Sequence, residues 1–267
     1  MVLTSMDLLA AKPLDLANIR YALIRQEDTI IFKLIERCQF PLNKSIYTPG
    51  TIPIPDYDGS FLDFVLEKSE HAHALVRRYQ SPDEYAFSKN LPDPIIEALE
   101  YPPLICTDGV NVNDKIKDFY INDILPKLLN PHHQDLGEKK ENYGSAAVCD
   151  VECLQALSRR IHFGKFVAEV KFLSDVPKYT KMIQERDIAG LTKGITNDAV
   201  EKQVLARLEK KAINYGKDPL DVEGSADASS QGKVDVKTVV SMYENFVIPL
   251  TKEVEIEYLL RRLEADD

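Results

Sequence analysis

Apolar residues recur along this chain at three- and four-residue intervals, and strict apolar–polar alternation is scarce. That spacing lines one face of an α-helix, so helices are expected from end to end. Asp15 stands where an N-cap belongs, and the first long helix is predicted from there to about Cys38. Residues 41–59 hold Pro41, Pro49, Gly50, Pro53, Pro55 and Gly59 and read as an irregular connection. Helices are predicted over 60–79, over 93–99 and over 113–129, with a polar loop across 130–145. One long helix is expected over 146–174, then short ones over 178–186 and 187–193. Thr196 is the candidate cap of the next helix, which ends near Tyr215-Gly216. The last is expected from Asp235 to about Glu264, with a kink at Pro249, which removes a backbone bond. Residues 1–14 read as a flexible N-terminus and 216–233 as a mobile loop. No linker rich in Pro or Gly divides two cores, so the expectation is all-α: one domain over 1–267, built as a multi-helix bundle.

Four of these helices carry polar groups on the face that should be core. Arg160 and Lys171 are eleven residues apart, which at ~100° per residue brings them back to nearly one face. That face otherwise reads Leu157, Gly164, Val167 and Ala168. Two cations there are expensive unless something anionic sits between them. Gly164 clears space, although a helix-interior Gly costs roughly 1 kcal/mol against Ala. Arg20 lies on the stripe Leu16, Leu23, Ile30 and Leu34. Asn197 and Glu201, one turn apart, lead into Val204 and Leu208, and Thr251 and Glu255 repeat the spacing. A bundle that converges such groups builds a pocket for a small, multiply charged anion. Taken singly, Arg20 or Glu201 reads as an ordinary solvated or salt-bridged position, and Glu27 as the partner of an Arg in the pocket wall. His162 reads as structural and His132-His133 as solvated loop.

The formal charge is −10, from 33 basic and 43 acidic residues, which argues against nucleic-acid and anionic-membrane partners. A small anion stays open, because a buried cation cluster sets its own local field. Cys38, Cys106, Cys149 and Cys153 lack metal-ligand spacing and read as reduced thiols, so no metal is expected. No apolar run approaches ~18 residues. The first fifteen residues lack Arg and a long apolar core, so no targeting peptide is read and the cytoplasm is the default. Nothing resembles a Ser-His-Asp or Cys-His set, leaving covalent catalysis without a candidate.

From Leu16 to Leu263 the chain resembles the all-helical chorismate mutases of the eukaryotic, allosterically regulated type found in fungi and plants. The phrases that carry the resemblance are Asn18-Ile19-Arg20, Ser60-Phe61-Leu62-Asp63, Arg77-Arg78, Asn113-Asp114-Lys115-Ile116-Lys117, the block 152–172, and the run from Thr251 to Glu264. It implies a homodimer with an active site inside a four-helix arrangement, rearranging chorismate to prephenate for phenylalanine and tyrosine synthesis. That intramolecular [3,3] step needs no cofactor, only a held conformer and stabilised charge separation. By resemblance Arg20 and Arg160 bind the two carboxylates, as guanidinium forks suit. Lys171 and Glu255 donate to the ether oxygen, Glu255 only when protonated. Glu201 accepts from the ring hydroxyl, and Asn197 and Thr251 orient the substrate. A carboxyl so placed should have a raised pKa and give an optimum on the acid side of neutrality.

The resemblance also implies inhibition by tyrosine and activation by tryptophan at an interface site. Arg77 and Arg78 would hold the effector's carboxylate; their simpler reading is a cationic pair closing the second long helix. Asn142, Gly144 and Ser145 match the loop-to-helix segment that receives the effector from the other subunit. Val148 replaces a hydroxyl residue of the pattern, and Asp235 replaces a Thr cap. The rivals are a non-catalytic helical sensor binding an aromatic carboxylate, and a lyase acting on chorismate.

Overall fold

The structure is a computed structural model that describes residues 14–106, 109–133, 137–217 and 232–264. Most of the expected flexible N-terminus and of the 216–233 loop lies outside the described residues. Among those described there are helices and no strand, with one isolated bridge between Ile54 and Tyr57.

Helix α1 (Leu16–Arg37) starts at Asp15, whose carboxylate accepts the Ala17 N–H. Helix α2 (Phe61–Leu75) starts at Ser60, whose hydroxyl accepts the Asp63 N–H. It stops four residues short of the expected end, because Arg77 takes a left-handed backbone (φ 58°) and a 3-10 turn follows over Arg78–Gln80. No helix forms over 93–99. Ile95, Ile96 and Leu99 stay exposed, so a short helix there would have no apolar face to bury. Helix α3 (Asn113–Phe119) passes through a π turn (Tyr120–Ile124) into α4 (Leu125–His133). His132 and His133 therefore belong to a helix by backbone, not to a loop; their side chains lie outside the described residues.

The long helix expected over 146–174 is two. Helix α5 (Tyr143–His162) starts earlier, taking in Gly144 and Ser145, and α6 (Gly164–Ser174) follows after a one-residue break at Phe163. Helices α7 (Val176–Gln184) and α8 (Ile188–Ile195) are capped by Asp175 and Asp187. Helix α9 (Asp198–Gly216) is capped by Asn197, not by Thr196: the Asn197 side chain accepts the Val200 N–H. The last segment comprises α10 (Val236–Met242), capped by Asp235, a π turn (Tyr243–Val247) and α11 (Ile248–Arg261). The kink expected at Pro249 takes the form of that π turn. Proline has no N–H and crowds the carbonyl four residues back, and the wider turn relieves both. Pro126 follows the other π turn in the same way. Phe119, the last residue of α3 before its π turn, stacks on Phe246 of the second π turn, 4.9 Å between centroids.

Helices α1, α2, α3 and α11 pack on α5, and α9 packs on α1 and α10. The main core holds Ile30, Leu34, Ile116, Leu154, Met242 and Val254. A second cluster, around Phe172, Leu191, Tyr258 and Leu259, joins α6, α8 and α11. Within the main core Arg37 is fully buried and donates to Asp150 at 2.6 Å, while the hydroxyls of Tyr47 and Tyr120 donate to the same carboxylate. Such a pair holds α1 against α5 and would be costly to break from one side. His162 is buried and neutral: burial first, then Lys165, drives its pKa down to about 3. Its ring accepts the Val112 N–H and stacks on Tyr85.

Candidate active site

The ends of α1, α5, α6, α9 and α11 enclose a cavity of about 190 Å³. Arg20, Arg160, Lys171, Asn197, Glu201, Thr251 and Glu255 all line it. Apolar walls come from Leu16, Ile19, Leu23, Val167, Ile195, Val200, Val204 and Ile248. Arg20 and Asn197 are exposed at the rim, whereas Arg160 and Glu255 are each only 6% exposed at the floor. Arg20 thus sits at the border of its apolar stripe rather than inside it.

The floor is the charged end. Arg160 reaches it from the last turn of α5, and its Nε and Nη1 are buried with no hydrogen-bond partner among the described residues. A buried guanidinium with unused donors is a strong anion site, because its desolvation is not yet offset. Lys171, on α6, donates to the Gly194 carbonyl at 3.2 Å. Burial raises the Glu255 pKa to about 8, against the opposing pull of Arg160, Lys171 and Lys252. It is protonated at neutrality and can donate a hydrogen bond. The alkaline fall in activity is accordingly expected near pH 8, above the acid-side optimum drawn from the sequence. Thr251 donates its hydroxyl proton to the Val247 carbonyl at 2.6 Å.

Gly164 acts differently from the expectation. A Cβ there would meet Thr251 Cγ2 at 3.0 Å and Glu255 Cγ at 3.1 Å. The missing side chain lets α11 approach α6 instead of leaving room for a ligand. Glu27 pairs with an arginine outside the pocket wall: Arg207 of α9 forks onto it at 2.7 and 2.8 Å, joined by Lys211. Lys252 is the charged lining residue the sequence pattern missed. It bonds Glu201 at 2.8 Å, and its position next to Thr251 puts it a quarter turn away from the stripe that drew attention.

The residues read as an effector site are not gathered into one place within the chain. An Arg77 guanidinium N–H donates to the Glu97 carbonyl, while Arg78 pairs with Glu84 at 3.1 Å and donates to Gln155 at 3.0 Å. Neither pattern caps the last carbonyls of α2. Asn142 precedes α5 without a side-chain cap bond, and Gly144 and Ser145 are exposed on its first turn. Gln155 lies ten residues beyond Ser145, about 15 Å along the helix. Among the described residues no group of three or more His, Cys, Asp or Glu could hold a metal, and no helix is long and apolar enough to cross a membrane.

An all-helical fold whose bundle closes over an apolar-walled cavity, with cations and a protonated carboxyl at its floor, belongs to the class of helical proteins built to receive a small polyanion. Residues 142–256 match the family model described as chorismate mutase type II. A chorismate mutase of Trichoderma parareesei is 55% identical over 254 residues, covering 94% of each chain. The solved chorismate mutase of Candida albicans in complex with L-Trp superposes with a TM-score of 0.88 at 48% identity, covering 98% of this chain and 97% of that one. The structure of AtCM1 with tyrosine bound in its allosteric site gives 0.80 at 38%, covering 95% and 98%. The chain belongs to the chorismate mutase family, a family of isomerases.

Proposed function

We propose that the cavity converts chorismate to prephenate by an intramolecular [3,3] rearrangement. The observation that carries the reading is the pairing of two unsatisfied guanidinium donors on Arg160 with a Glu255 carboxyl that keeps its proton to about pH 8. Arg160 and Arg20 bind the two substrate carboxylates, one at the floor and one at the rim. Their separation selects the compact conformer in which the two reacting carbons meet. As the ether C–O bond lengthens, negative charge gathers on its oxygen, and Lys171 and protonated Glu255 donate to it. These donors are fixed before the reaction, so little reorganisation is needed at the transition state. Glu201, held by Lys252, accepts from the ring hydroxyl; Asn197 and Thr251 orient the rest. No proton needs to leave the protein, which distinguishes this site from one built for general base chemistry.

The regulatory part of the reading is a homodimer with tyrosine inhibiting and tryptophan activating, the effector held between Arg77 and Arg78 of one subunit and Asn142, Gly144 and Ser145 of the other. Val76, Ile95, Ile96 and Leu99, exposed beside Arg77 in sequence or by the Ile95–Leu75 backbone bond, supply an apolar face for a second copy. The four cysteines form no disulfide, which suits the reducing cytoplasm as the working compartment.

Purified protein mixed with chorismate from pH 5 to 9, with and without each amino acid, tests both parts. Prephenate formation with opposite responses to tyrosine and tryptophan is the expected result. Prephenate without those responses would retire the effector assignment alone, with Val148 and Asp235 the first positions to revert. Folded protein that binds an aromatic carboxylate but yields no prephenate would point to a sensor.

A further inference from the structure

One buried cluster lies outside the cavity yet joins the two helices that carry its reacting donors. Glu169 of α6 is 4% exposed, and its carboxylate accepts from the Tyr258 hydroxyl at 2.5 Å and from Arg262 Nε and Nη2 at 2.9 and 3.2 Å. The Tyr258 hydroxyl in turn accepts the Cys106 N–H at 3.1 Å. Tyr258 is one turn beyond Glu255 on α11, and Glu169 is two residues before Lys171 on α6. At the other end of the same helix pair, Gly164 meets Thr251 and Glu255 with no room for a methyl group. Helices α6 and α11 are thus registered sterically at Gly164 and electrostatically at Glu169.

We propose that Glu169 is a positioning residue for the rearrangement, fixing through Tyr258 and Arg262 the axial register of α11 on α6 and with it the distance between Lys171 and Glu255. The inference rests on the reading of the cavity given above. Those two donors must reach one oxygen atom, so a slide of either helix separates them. Tyr258 suits this role because burial, then its bond to Glu169, raises its pKa, so the hydroxyl stays a donor across the working pH range. A three-donor carboxylate is also directional in a way that the apolar contacts around Leu259 and Phe172 are not.

The test uses the full chain with Tyr258→Phe, which keeps the ring and deletes one donor, and Glu169→Gln, which keeps the shape. The expected result for Tyr258→Phe is a kcat lowered about tenfold with KM within about twofold, since a small misplacement of reacting groups acts on the transition state. The alkaline limb of the rate should also move below pH 8. Loosening the pair admits water to Glu255, whose charged neighbours are Arg160, Lys171, Lys252 and Glu201, with Tyr179 also facing it. Glu169→Gln should show the same signature more strongly, as the Arg262 bonds to this side chain lose their charge assistance. An unchanged kcat and limb in Tyr258→Phe, beside a lowered melting temperature, would make the cluster structural only. Parent protein without mutase activity would instead sink the cavity reading, so the two failures are distinct.

Discussion

At the scale of single residues, Glu255 is the position where environment most changes chemistry. Its carboxyl is held protonated to about pH 8 by burial, so activity that needs its proton is flat through neutrality and lost above that value. Glu255→Gln offers a permanent donor of the same shape. The expected outcome is activity retained within about tenfold at pH 7 and no alkaline fall up to pH 9, read from kcat/KM against pH. A limb that persists in the variant would remove Glu255 from the role. Gly164 is the second such position. Gly164→Ala gains helix propensity but drives a methyl into Thr251 and Glu255, which typically costs about 1–3 kcal/mol on overpacking. Because the displaced groups line the cavity, kcat should fall by about tenfold or more while the melting temperature drops only a few degrees.

At the scale of elements, Asn197 serves a helix and a site together: it caps α9 and lines the cavity rim. Two substitutions separate the functions. Asn197→Ala should cost about 1 kcal/mol of stability through the lost cap. Asn197→Asp keeps the cap, so melting should be unchanged while KM rises, because a carboxylate now faces an anionic substrate. Equal behaviour of the two variants in KM and melting would deny the double role. The sequence signal for elements was strong where a side chain both starts a helix and is visible as a cap: Asp15 and Asp235 do so. The seven cavity residues were legible for a related reason, since a polar or charged group at the period of an apolar stripe stands out against a 3.6-residue repeat. The π turns were not legible, because each flanking helix keeps its own period and only the phase changes across the turn. The break at Phe163 had one signal, Gly164, which read as a gap for a ligand. Lys252 was hidden by lying off the stripe, and residues 93–99 had helical spacing with no core beneath them.

At the scale of the whole molecule, two buried groups pull stability in opposite directions with pH. Glu255 has its folded pKa raised from 4.5 to about 8, so the native state keeps a proton that the unfolded chain releases. The native state is therefore penalised progressively as pH rises from 4.5 to about 8, by on the order of 3 kcal/mol at pH 7. His162 has its folded pKa lowered from 6.5 to about 3, so stability falls as pH drops through that window. Thermal melts of the parent and of Glu255→Gln should coincide near pH 4 and diverge steadily up to pH 8, the variant being the more stable. Parallel curves across that range would mean that Glu255 ionises in the folded state as it does in the unfolded one. The wide turn over Tyr243–Val247 has another consequence, for chain length. Such a turn fits one residue more than a regular helix would into nearly the same arc, so excising a single residue there would restore ordinary winding and leave everything downstream close to its present angle. The same deletion made one turn earlier, inside α10, would instead rotate Thr251, Glu255 and Tyr258 away from the cavity together by about 100°, with every amino acid of the site still present. Between the Asp235 cap and Glu255 the chain can thus shorten without turning its site residues only within the wide turn.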